Sequence, residues 1–142
     1  MLFPVAGSRL YIAAGANASA VSGWIEVGSA ESFGSAGVEW DMVDATSHLS
    51  TNAEVIKGLM RLRPMQIVMA LDPDDAGQLL LWEASRSRDE YAFQLRFPIQ
   101  GGVQPIRQWC ALVIALDEVF DAANSLIKLL ATLQPNGEIE RI

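Results

Sequence analysis

Cysteine and histidine are almost absent from this chain, and charge is sparse. Cys110 is the only cysteine among 142 residues, which excludes an intrachain disulfide and a cysteine-built metal cluster. Flanked by Trp109, Ala111 and Leu112, it reads as a buried, inert thiol. His48 is the single histidine and lies far from Cys110 in sequence, so neither a His-rich metal site nor a Cys–His dyad is expected. No G-x-S-x-G or Walker A sequence occurs, and no cofactor is expected. Long hydrophobic runs are missing too. The longest, Trp109 to Leu116, has 8 residues, against roughly 18 for a membrane-spanning helix. The N-terminus carries no charge before Arg9 and only a brief apolar stretch from Leu10 to Ala14, a poor signal peptide.

Against those absences stands an excess of apolar residues. They make up 51% of the chain while charged residues reach only 19%, below the roughly 25% usual for soluble domains. The length fits one domain, and its apolar surplus points to burial against other subunits. Seventeen acids against ten bases give a net charge of -7, the wrong sign for gripping nucleic acid. The acids Glu26, Glu31, Glu39, Asp41, Asp44 and Glu54 precede a small basic cluster, Lys57, Arg61 and Arg63, a pattern suited to an acidic surface on one subunit meeting a basic one on another.

Strand patterns dominate. Residues 1–22 read as a flexible arm, Trp24–Val27 as a short strand, and Gly28–Gly37 as a connection. Val38, Trp40 and Met42 alternate with Glu39 and Asp41, the period of a strand with one apolar and one acidic face. Residues 44–63 lack a strand period and read as a long loop, flanked in hairpin fashion by Val38–Met42 and a strand over Met65–Leu71. Asp72-Pro73-Asp74-Asp75 predicts a helix start, with Pro in the first turn, and Ala76, Leu79, Leu80 and Ala84 continue one helix over about 73–86,. These carboxylates lack the spacing of a calcium loop. Tyr91–Phe97 alternates cleanly, Ile106–Leu116 is apolar on both faces, and Leu126–Leu133 is the last long strand before Pro135-Asn136-Gly137 leaves 134–142 as a tail. Trp40, Trp82 and Trp109 sit in apolar patterns, which favours core or interface packing over the sugar stacking of a carbohydrate-binding module.

The ordered set Gly23-Trp24-Ile25-Glu26-Val27, Val38 through His48, Ile56-Lys57-Gly58-Leu59, Asp72-Pro73-Asp74-Asp75-Ala76-Gly77 and Phe97-Pro98 resembles the tail tube proteins of phages with long non-contractile tails. The resemblance runs from about Gly23 to Ile139. It implies a mainly β fold, a β-sandwich or barrel with one flanking helix, in which six subunits close a ring around a continuous β-barrel and rings stack into a tube. The implied role is structural and non-enzymatic, a conduit for the genome in the virion, assembled from subunits made in the host cytoplasm. Its implied partners are further copies of itself, a tape measure protein and passing DNA in the lumen, and terminator and distal tail proteins at the ends, with no membrane. Glu39 and Asp41 are the candidates for facing the lumen, where acids would keep DNA from sticking. Asp44, His48, Lys57, Arg61 and Arg63, in the long loop, are the candidates for contacts between rings. A tube subunit of a secretion or contractile injection system shares this architecture, and a virion-associated carbohydrate-binding module is the alternative from another class.

Overall fold

The structure, a computed structural model, describes all residues from Met1 to Ile142. Nine strands and one helix follow in the order β1 (Arg9–Ala14), β2 (Ile25–Val27), β3 (Ala30–Ser32), β4 (Val38–Asp44), β5 (Val55–Leu62), β6 (Met65–Ala70), α1 (Ala76–Arg86), β7 (Tyr91–Arg96), β8 (Ile106–Val119) and β9 (Lys128–Arg141). The expected mainly β class with one flanking helix is what the chain adopts. Seven strands form one antiparallel sheet in the order β2-β1-β7-β8-β9-β6-β3, while β4 and β5 pair only with each other.

The two edge strands of the large sheet, β2 and β3, are consecutive in sequence and joined by Gly28-Ser29 alone. Three Cα–Cα steps span at most about 11 Å, so the sheet must curl until its edges nearly meet. Ser29 makes the corner at a φ of 60°, a left-handed conformation unusual outside glycine, and its carbonyl accepts from Ala70 N–H at 3.0 Å. Curling turns one face of every strand inward. Leu10, Ile12, Met65, Ile67, Met69, Phe93, Trp109, Leu129 and Leu133 meet there, each at most 2% exposed, and Phe93 stacks on Trp109 with ring centroids 6.1 Å apart. Each such side chain contributes about 1.5–3 kcal/mol on burial.

Helix α1 closes the corner. Asp75 is its N-cap, accepting from Gln78 N–H at 3.0 Å and from Gly28 N–H at 3.0 Å. The helix therefore begins at Ala76, not Pro73, because Asp72 is already committed to a turn in which it accepts from Asp74 N–H at 3.1 Å,. A Cβ on Gly77 would collide with the backbone of Glu26 and Val27, so glycine here sets how closely α1 approaches β2. Gln78, 1% exposed, donates to Ala70 and Gly28 carbonyls and accepts from Asp72 N–H. One side chain thus joins helix, corner and the end of β6.

Three expectations are corrected. The arm over 1–22 is anchored, since β1 lies inside the sheet with Leu10 and Ile12 buried. On the opposite face Ala13, Ala92 and Cys110 occupy one cross-strand row, and residues 16–20 fold over this shallow surface. There Cys110 donates to the Ala16 carbonyl at 3.0 Å and Ser19 to Glu140 at 3.0 Å. The tail over 134–142 is likewise no free tail: β9 runs through Pro135, which pairs in register with Ala111, to Arg141, with a register shift against β8 between Asn136 and Glu140. Finally, the long loop over 44–63 contains a strand, and the true loop is confined to 45–54. β5 occupies Val55–Leu62 and pairs with β4, whereas β6 pairs with β9 and β3.

Candidate assembly surface

A two-stranded ribbon needs tertiary support to persist in water, and β4–β5 receives it only at its base. Arg63 N–H donates to Gly37 at 3.1 Å, and Gln134 Nε2 to Leu62 at 2.9 Å. Beyond those anchors both outer edges lack a strand partner. Eight large apolar residues of the ribbon are exposed: Val38, Trp40, Met42, Val43, Val55, Ile56, Leu59 and Met60. Such a concentration, on strands with free edges, marks an interaction surface.

The pairing register sorts the side chains. Val38 faces Leu62, Glu39 faces Arg61 and Trp40 faces Met60; then the register shifts, and Met42 faces Lys57, Val43 faces Ile56 and Asp44 faces Val55. One face carries Val38, Trp40, Met42, Lys57, Met60 and Leu62. Lys57 Nζ lies 5.1 Å from the Trp40 ring centroid on this face, a cation–π contact. The other carries Glu39, Asp41, Val43, Ile56, Leu59 and Arg61. Gly58 sits at the irregularity, where an added Cβ would stand 2.9 Å from Val43 Cγ2.

Four of the seven sequence-predicted site residues come together on that second face. Arg61 Nε binds both carboxylate oxygens of Asp41, at 3.1 and 3.0 Å, and Arg63 Nε lies 3.8 Å from Glu39. Candidates for the lumen and candidates for ring contacts are thus ion-paired neighbours, and their charges offset. All four side chains are over two-fifths exposed, so each pair adds at most about 1 kcal/mol to folding. Lys57 is on the opposite face. Asp44 ends β4 and accepts from Thr46 N–H at 2.9 Å; that hydrogen bond holds its pKa below the ordinary aspartate value,. Thr46 is fixed in turn, its hydroxyl accepting from Glu54 N–H at 2.8 Å. His48 is exposed in the connecting loop, apart from the others. Sequence reasoning missed Ile56, Leu59 and Met60 as surface; their clustering beside Lys57 and Arg61 was the available signal.

Cys110 is half-buried, and desolvation pushes its thiol pKa up, which suits an inert role. No helix is long and apolar enough to cross a membrane.

No family model and no curated protein matches the sequence. Solved structures do match. The SPP1 tail tube superposes with a TM-score of 0.72 at 12% identity, over 96% of this chain and 78% of that one. A chain of the anti-feeding prophage baseplate gives 0.74 at 5% identity, over 100% and 97%. A chain of the sheath/tube terminator of PVC, an extracellular contractile injection system in its extended state, gives 0.73 at 13% identity, over 100% and 97%. At such identities the likeness is one of architecture, and this chain has the fold shared by a phage tail tube and by components of contractile injection systems.

Proposed function

We propose that this chain is a structural, non-enzymatic subunit of a phage tail tube, assembling into stacked hexameric rings that conduct the genome. The observation that carries the reading is the β4–β5 ribbon: eight exposed apolar side chains on two strands whose outer edges have no partner. Strand addition between neighbouring copies would satisfy those edges, and repetition around a ring leaves no edge open. The fold shared with the SPP1 tail tube supports this reading. In the assembled virion the subunit would contact copies of itself, a tape measure protein and DNA in the lumen, and terminator and distal tail proteins at the ends; it would be made in the host cytoplasm.

Glu39 and Asp41 are proposed to face the lumen, and Asp44, His48, Lys57, Arg61 and Arg63 to contribute to contacts between rings. Pairing of Glu39 with Arg63 and of Asp41 with Arg61 makes that patch locally neutral, so repulsion of DNA would come from other acids of a subunit at -7.

A second reading, the tube of a contractile injection system, is favoured by the equally good superposition on baseplate and terminator chains of such systems. Negative-stain microscopy of the concentrated protein tests both, with rings or tubes expected. A persistent monomer retained on glycan resins would overturn them in favour of a carbohydrate-binding module, and the neighbouring genes separate phage from injection system.

A further inference from the structure

The β8–β9 hairpin has chemically opposite ends. At one end Arg107 and Arg141 are direct cross-strand partners, an arrangement of like charges that costs stability unless something compensates it. Neither has a carboxylate within 4.0 Å in this chain. Leu95 pairs with Arg107 and Leu10 with Leu95, so both arginines lie in a row that begins in the core, and they stand at the open mouth of the curled sheet. That mouth holds a groove of about 520 Å³ walled by Val38, Leu62, Leu95, Phe97, Trp109 and Ile139, with Glu138 also on its lining. Arg107 lies over the Phe97 ring, 4.9 Å from its centroid.

At the other end β8 finishes with Asp117-Glu118-Val119 and the turn opens with Phe120-Asp121, three acids in five residues with no base before Lys128. Lys128 is itself engaged by Glu31 at 3.0 Å. Phe120 is 64% exposed, and it and Trp40 are the only aromatics among the exposed large apolar residues. An apolar ring fenced by carboxylates is therefore presented about 40 Å, twelve residues of strand, from an apolar groove fenced by arginines.

We propose that the acidic Phe120 tip of one copy seats in the Arg107/Arg141 mouth of a copy in the next ring. Complementary patches at opposite ends of one rigid hairpin make a head-to-tail contact, which propagates without limit instead of closing. The aromatic ring supplies apolar burial, and the carboxylates relieve the arginine pair. This contact rests on the tube reading, in which the ribbon closes each ring and its charged residues contribute to stacking, and it adds a second, separate contact between rings.

The test uses the full chain and negative-stain measurement of tube length, with circular dichroism as the folding control. Arg107→Glu with Arg141→Glu, and separately Asp117→Arg with Glu118→Arg and Asp121→Arg, should each leave rings but shorten tubes by about tenfold or more, while combining all five changes in one chain should restore length. Phe120→Ala, at an exposed tip, gives the same shortening and keeps the test open if a mouth variant does not fold. Tubes of wild-type length from Phe120→Ala, or from either charge-reversed chain, overturn the contact alone. A wild type that never forms rings overturns the tube reading, and this contact with it.

Discussion

The Asp75 carboxylate spans from the first turn of α1 to the backbone of Gly28, 3.0 Å away, so the helix cap also fastens the corner between β2 and β3. Its second hydrogen bond, from Gln78 N–H at 3.0 Å, satisfies one of the free helix donors,. Replacing Asp75 with Ala removes both and should cost about 1–3 kcal/mol in urea unfolding. A variant as stable as wild type would show that the cap and the corner are independent.

Gly77→Ala makes a sharper contrast. Alanine favours an isolated helix over glycine by about 1 kcal/mol, yet here its methyl would strike the Glu26–Val27 backbone. Overpacking of this kind costs about 1–3 kcal/mol, so the melting temperature should fall. A rise would place the helix farther from β2 than it stands in the structure.

On the ribbon, Trp40→Ser combined with Leu59→Ser changes one exposed residue on each face. Unfolding free energy should stay within about 0.5 kcal/mol of wild type, while sedimentation velocity should show assembly lost. Assembly at the wild-type concentration would exclude the ribbon as the joining surface.

Because Asp41 and Arg61 pair directly, Asp41→Lys should lower the yield of assembled particles through like-charge opposition, with folding nearly unchanged. Exchanging the two, Asp41→Arg with Arg61→Asp, should recover it. If the exchange behaves as poorly as the single change, each residue contacts another subunit instead of its neighbour.

Asp44 supplies a pH test. Its folded pKa lies below the ordinary value because of the Thr46 hydrogen bonds, so the order these bonds give the loop is present above the unfolded aspartate pKa and lost as pH falls through the lowered one. Carbon-detected NMR titration of the Asp44 carboxyl should give a midpoint below that of the same group in Thr46→Ala, whose backbone donor remains but whose hydroxyl is gone. Equal midpoints would leave the backbone donor solely responsible.

How far the sequence disclosed this arrangement depended on whether alternation survived along each strand. Tyr91–Arg96 and Met65–Ala70 keep an unbroken period of two and were readable with nearly correct bounds. β5 was not, because the irregularity at Gly58 inserts an extra residue: Val55 and Lys57 share a face with Met60 and Leu62, and the apparent period is lost,. A sequence with apolar residues on both faces also gives no indication of which face is inside. β9 was cut short at Pro135 because a proline inside a strand is expected to end it, whereas here Pro135 lies beyond the last β6 pair, Met65 with Leu133, and keeps its place opposite Ala111,. At the candidate surface, the residue types were legible as charges of opposite sign; that Glu39 and Asp41 would pair with Arg63 and Arg61 required the β4–β5 register, which no spacing along the chain encodes.

The Gly28-Ser29 corner has a mechanical consequence. Because the strands on either side of the seam are one continuous stretch of backbone, the sheet cannot be unzipped from one margin: peeling β2 from β1 pulls β3 against β6 at the same moment. Rupture must engage both margins together, so a subunit under axial load should yield as a single unit instead of fraying strand by strand.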